Sequence, residues 1–363
     1  MKNTFYIRLI IFTVFLILLA NEILVFEPWN QIKYYMTFNW TNWFNPRAFI
    51  KTIPHIPRFT IVYPCYLLKN ILGIKINLIY GIYVVSILNL TSILWQRISK
   101  YTSNSNIWSF LCSLFPLFLA FIVNGRFAFG LLGITLIIYK AYYRKYNDSI
   151  NKNFLIEFIG LYLSTVSSGT FFFGLSFFLM TNYREITKSL SYQLLILMQL
   201  RFNKESSFKN IFEFFYLLLM LILFFMFTIK NFQYYGGFNI NGINGLLSHG
   251  FGVIFSRVAF LKECTNSNSA VCNLVHLIDV NPIINPFLII LFCIFLYLLF
   301  KILRTNNINY FAKLTIIFSL MSGAFGFTAF LSVLVIIPQL RIIPFSKINL
   351  NTIQKRMLKF TKF

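Results

Sequence analysis

Apolar runs of about twenty residues recur from one end of this chain to the other, separated by short stretches rich in Lys and Arg. Coiled into a helix at 1.5 Å per residue, such a run matches the ~30 Å hydrocarbon core of a bilayer. A helix also pairs all its backbone groups internally, as a segment out of reach of water must. Recurrence of these runs constrains the fold more than any motif does. A β-barrel would show short alternating segments instead, and none are visible. Composition points the same way: 58% of the 363 residues are hydrophobic and 11% charged, against about 25% charged in a soluble domain. The expected architecture is an all-α polytopic integral membrane protein with about ten transmembrane helices. It forms a single transmembrane domain over residues 1–363.

The first run, Phe5 to Phe26, is longer than a signal-peptide core, and "LLANE" lacks the paired small residues of a cleavage site. It reads as a retained helix. A second span covers Ile74 to Trp95. The run Ile107 to Ile138, 32 residues, is too long for one span and is divided by "NGR". Asn-Gly is a strong turn signal, so two short helices meeting at a hairpin are expected. Similar breaks divide Phe154 to Thr181 at "STVSSGTFFFG" and Leu314 to Ile343 at "LMSGAFGFTAF". Single spans fill Ile211 to Ile229 and Pro286 to Leu303, which brings the expected crossings to ten.

Basic residues orient the chain. A formal charge of +23 comes from 32 Lys and Arg against nine acids. The bases are scattered between spans rather than gathered in a soluble domain, so no nucleic-acid partner is expected. With a cytoplasmic N-terminus, 22 of the 32 lie inside and ten outside, as the positive-inside rule requires. Three small-residue breaks, at Gly125, Gly169 and Gly323, then fall on the extracytoplasmic side. So do two long loops, about 27–73 and 230–285. Function on a scaffold concentrates in such loops, and irregular backbone near membrane depth is tolerated where it lines a cavity.

The ten external bases resist the general trend and are therefore the informative ones. Arg126 sits deep, beside the "NGR" break, in a segment where an arginine at mid-membrane costs roughly 2.5–3.5 kcal/mol. Either it snorkels to water at a helix end, or it holds an anion. Arg257 in "HGFGVIFSRVAF" poses the same alternative, and Arg47 and Arg58 pose it in the first loop. Arginine forks onto phosphate oxygens through paired donors, so several around one cavity would grip a diphosphate. Among the acids, Glu22 in the last apolar turns of the first run is the candidate general base or acid, since desolvation there raises a carboxyl pKa. The alternative is a helix-end carboxylate in water. Glu157 and Glu213, near the inner ends of spans, read as interfacial residues.

His249 and His276 lie in the late external loop and are candidate substrate contacts, with "SHGFG" as either a substrate loop or a plain connector. No pair of histidines has metal-site spacing, and no HExxH or CxxC occurs, so no metal is expected. Cys264 and Cys272 bracket a polar stretch on the external side and are expected to form a disulfide in an oxidising compartment. Cys65, Cys112 and Cys293 read as apolar packing residues. The chain has no Walker loop, Rossmann fingerprint or GxSxG, so no cofactor is expected and neither an ATP-driven pump nor a serine hydrolase has support.

Length, about ten spans, a large late external loop, and the pieces "NGRFAFGLLGI" and "LSTVSSGTFFFG" together resemble the Wzy-type O-antigen and capsule polymerases, including their EpsG-like branch. The family's arginine-and-glycine loop motif is absent, since Arg257 is followed by no glycine until Gly323. This resemblance implies a GT-C-like membrane glycosyltransferase of the bacterial inner membrane, serving lipopolysaccharide or capsule biosynthesis. Its donor would be a polyprenyl-diphosphate-linked oligosaccharide, used at the external face, with a chain-length regulator and a flippase as partners beside the lipid bilayer. Two other classes stay open: a polysaccharide flippase or transporter, which would show internal repeats and short loops on both sides, and a membrane acyltransferase.

Overall fold

The computed structural model describes residues 2–24, 26, 56–100, 106–118, 120, 125–147, 155–166, 169–181 and 207–234, together with the single helical positions 293, 297, 300 and 304. Among them there is no strand. Helix α1 spans Lys2–Ala20, α2 Ile56–Leu72, α3 Ile76–Lys100, α4 Asn106–Phe118, α5 Gly125–Asn147, α6 Leu155–Ser164 and α8 Ser207–Tyr234, with α7 at Gly169–Thr181. Among the described residues one helix, over Ile76–Ser99, is long and apolar enough by itself to cross a membrane; the apolar parts of α1, α6, α7 and α8 are shorter. The breaks expected at "NGR" and at "STVSSG" both appear as helix ends. The third, at Gly323, lies outside the described residues, as does most of the run 286–303.

One region departs from the sequence reading. Residues 56–72, within the long loop expected over 27–73, form the helix α2, with Pro64 inside it. Proline removes one backbone donor and strains the turn before it. Burial of Ile61, Val62 and Cys65 on one side of α2 holds the helix together regardless. It stops at Gly73, whose φ of 67° is the left-handed conformation that closes a helix. The Gly73 N–H donates to Lys69 O at 2.9 Å.

The helices alternate in direction, and specific contacts fix this. Arg8 near the start of α1 reaches Ser92 near the end of α3, while Leu19 at the end of α1 lies over Gly81 near the start of α3; the pair is antiparallel. Ser92 also meets Ser113 of α4. Tyr83 packs on Phe129 with ring centroids 5.0 Å apart, and the Trp95 indole N–H donates to Thr135 Oγ1 at 3.0 Å. Helices α3 and α5 therefore run parallel, with α4 returning between them. Gly130 abuts Thr170, and Phe172 meets Phe224 edge-on at 5.5 Å, which continues the pattern through α7 to α8.

Tyr80, Val84, Val85 and Leu88 of α3 form one fully buried stripe at helical spacing. It shares one core with Ala128 and Phe129 of α5, while Ile137 of α5 lies against Gly160 of α6. Helices α5 and α6 approach closest of all. A Cβ at Gly133 would stand 2.3 Å from Gly160 O, and one at Gly160 would stand 2.7 Å from Gly133 O. Only two glycines permit backbones to touch in this way, as at small-residue crossings in membrane proteins. The outer faces of α1 and α8 are different in kind: Phe5, Leu9, Ile10, Val14 and Ile17 on α1, and Phe215, Leu219, Ile222 and Phe225 on α8, are exposed.

Two sequence expectations need correction. Glu157, expected at an interface, is fully buried in the first turn of α6. The register that sets Gly133 against Ser164 puts it level with Lys140, which is also buried. Cys293, expected to pack, is exposed, whereas Cys65 is buried as expected.

Candidate functional site

Alternation of the helices gathers one set of termini at one end of the bundle: the C-terminus of α1, the N-termini of α3, α5 and α7, the α6–α7 turn, and α2. Three of the sequence candidates fall here, Glu22, Arg58 and Arg126.

Arg126 occupies the first turn of α5, next to Gly125. It is 7% exposed, so the reading in which it reaches water from a helix end is not what the fold provides. Gly125 is needed because Tyr80 of α3 crowds it: a Cβ there would stand 2.4 Å from the Tyr80 hydroxyl. Sequence reasoning missed Tyr80, since nothing distinguishes it among twenty tyrosines until α3 and α5 are brought side by side.

Arg58, in the first turn of α2, is also buried. Its Nε donates to Val166 O at 2.8 Å. That carbonyl belongs to the turn leaving α6, where helix geometry leaves end carbonyls without partners. One edge of the guanidinium thus pins α2 to the α6–α7 turn. Beside it the Thr60 hydroxyl bonds the Tyr162 hydroxyl of α6. Along α2, Phe59, Tyr63 and Tyr66 make a row of rings with centroids 5.1 and 6.4 Å apart. Cys65 lies behind this row, and burial pushes its thiol up to about 11. It is no thiolate nucleophile at neutral pH.

Glu22 differs from its expected setting. Its carboxylate is not desolvated: the side chain is 59% exposed and accepts from Lys75 Nζ at 2.6 Å. A different feature singles it out. Glu22 has φ 56°, the only positive φ of a non-glycine among the described residues. It occupies the residue after the helix end, where its N–H donates to Leu19 O and the next N–H to Leu18 O. Glycine normally holds that place, and another residue there costs about 1–2 kcal/mol. An exposed ion pair returns roughly 0–1 kcal/mol. Glu22→Gly is therefore expected to be neutral or stabilising by about 1 kcal/mol in thermal unfolding of the purified protein, although it removes the carboxylate.

Electrostatically this end is anion-seeking. The N-termini of α3, α5 and α7 each carry partial positive charge and unpaired N–H groups. Arg58, Arg126 and Lys75 add to them; among the described residues, Glu22 at this end is a carboxylate, and it pairs with Lys75. Among the described residues no three His, Cys, Asp or Glu side chains cluster as metal ligands would. Arg47, Arg257, His249, His276, Cys264 and Cys272 lie outside the described residues. The chain matches no family model, no curated protein and no solved structure.

Proposed function

We propose that this chain is a multi-pass protein of the bacterial cytoplasmic membrane that joins polyprenyl-diphosphate-linked oligosaccharide units into O-antigen or capsular polysaccharide at the external face. The observation that carries this reading is the convergence of two buried arginines, Arg58 and Arg126, with three helix N-termini at one end of the bundle. Membrane placement is supported by the exposed apolar flanks of α1 and α8; soluble monomers rarely leave contiguous apolar surface of more than a few hundred Å².

In this reaction the acceptor sugar's hydroxyl oxygen attacks the anomeric carbon of the donor. The bond from that carbon to the diphosphate oxygen breaks, and the electron pair leaves with the diphosphate. Negative charge on the leaving group grows towards the transition state. Fixed guanidinium groups and helix ends stabilise it more there than in the ground state, which is the condition for catalysis. The acceptor's proton goes to a carboxylate, for which Glu22 is the described candidate. Its strained backbone fits a residue kept for chemistry rather than for folding. The ring row of Phe59, Tyr63 and Tyr66 offers apolar faces on which sugar rings stack.

Deleting the gene tests the reading directly. Surface polysaccharide should collapse from a ladder to single repeat units and be restored by the intact chain. An unchanged ladder would overturn the assignment. Topology is a separate check: reporters fused after Asn147 and Phe363 should read cytoplasm, and one at Asn239 the outside. A periplasmic signal at Phe363 would exclude ten crossings.

A further inference from the structure

At the opposite end of the bundle a third arginine is buried, and nothing in the reaction above uses it. Arg8 lies in the second turn of α1 and is 8% exposed. Its Nη2 donates to Ser92 O of α3 at 3.3 Å and to Ser113 Oγ of α4 at 3.1 Å. Both acceptors are neutral: one is the Ser92 backbone carbonyl, and the other is the Ser113 hydroxyl, which itself donates to Phe110 O. Arg8 Nε, also buried, has no hydrogen-bond partner. No carboxylate among the described residues approaches this guanidinium; Glu22 pairs with Lys75 at the far end.

A buried cation held only by neutral acceptors is costly. Taking such an ion out of water costs several kcal/mol unless an opposite charge and further hydrogen bonds offset it. The polar cluster of Ser92 and Ser113 supplies two acceptors for a group with five N–H donors. Among the described residues it meets no anion. We propose that Arg8, at the junction of α1, α3 and α4, is a binding site for a phosphate group, supplied by the headgroup of an anionic phospholipid of the cytoplasmic leaflet.

Geometry favours that source. Arg8 lies three residues into the apolar part of α1, which begins at Phe5, so its Cα is about 4.5 Å from that edge at 1.5 Å per residue. That depth is within the length of an arginine side chain, so the site lies close to the headgroup level. The neighbouring outer face of α1, with Tyr6, Leu9 and Ile10 exposed, offers apolar surface for the acyl chains of the same lipid. A guanidinium matches phosphate oxygens through paired donors, whereas an ammonium meets them only as a point charge. The proposal rests on the membrane placement given above but not on the polymerase reading, and its test is independent of polysaccharide.

The full chain, purified in a neutral detergent, is unfolded thermally in micelles doped with phosphatidylglycerol, with phosphatidylcholine, or with neither plus inorganic phosphate. Phosphatidylglycerol is expected to raise the midpoint by about 3 °C or more, as a ligand bound only by the folded state does. Phosphatidylcholine should raise it far less. Arg8→Gln should lose most of the phosphatidylglycerol rise. Arg97→Gln, at an exposed arginine of α3 near the same end, should keep it. An equal rise in wild type and Arg8→Gln would mean that lipid charge acts on the whole basic chain, and would overturn the proposal. So would the absence of any rise in the wild type. An Arg8-dependent rise with inorganic phosphate alone would support a phosphate site and move its source from lipid to solution. Should Arg8→Gln fail to fold, Arg8→Lys takes its place, and full retention of the rise by that variant would overturn the paired-donor contact.

Discussion

Arg126→Lys should leave protein abundance near wild type yet cut long-chain polysaccharide sharply, with single repeat units persisting; Arg126→Ala should be more severe. Lysine keeps the charge and most of the length. It loses the planar pair of donors that fits two phosphate oxygens at once. Removing one donor aimed at developing negative charge typically costs 10²–10³ in rate, or about 2.7–4 kcal/mol. A loss of that size turns a ladder into its shortest bands. Because Arg126 is 7% exposed, alanine also leaves a void at the start of α5, so abundance is measured alongside the gel. Wild-type ladders from Arg126→Ala, in a deletion strain complemented with each variant, would remove Arg126 from the site.

The second large effect is structural and concerns Gly133. Alanine here would place its Cβ 2.3 Å from Gly160 O and 2.7 Å from Ser164 N, both backbone atoms. Backbone does not move aside as a side-chain tip does, so α5 and α6 must separate. Overpacking of a well-filled interior costs about 1–3 kcal/mol, and a backbone collision belongs at or above the top of that range. Gly81→Ala is the control: its Cβ would meet only the far end of the flexible Leu19 side chain, at 2.4 Å. Thermal unfolding in detergent should show a loss of several degrees for Gly133→Ala and little change for Gly81→Ala. Equal stability of the two variants would mean that the α5–α6 contact is looser than the fold implies. Function follows, since α5 carries Arg126 and the end of α6 supplies the Val166 carbonyl held by Arg58.

Helix formation in the described chain was legible because it depends on local apolar content and on punctuation. Gly125 and Gly169, read as breaks, are the first residues of α5 and α7. Helix α2 was not legible. Pro57 and Pro64 interrupt its apolar pattern, and the contacts that hold it, such as Arg58 to Val166, span 108 residues of sequence. Glu22 shows the limit at the site itself. Its apolar neighbours in sequence implied a desolvated carboxyl, but the end of α1 turns it outward to Lys75. Its positive φ has no signature in residue type, because glycine is what that position ordinarily takes.

By itself the sequence determined that the described chain is helical, where two of its helix pairs divide, and that its arginines are worth weighing, since each is a charge set among apolar residues. Only the tertiary structure decided which arginines are enclosed. Burial is a property of packed neighbours: Arg8 depends on α3 and α4, Arg58 on the turn after α6, and Arg126 on the end of the bundle where α3 and α5 start together. The alternation of helix directions puts these positions at opposite ends. At Arg8 that packing strips the guanidinium of water and leaves its Nε without a partner, and no single segment of the chain encodes that.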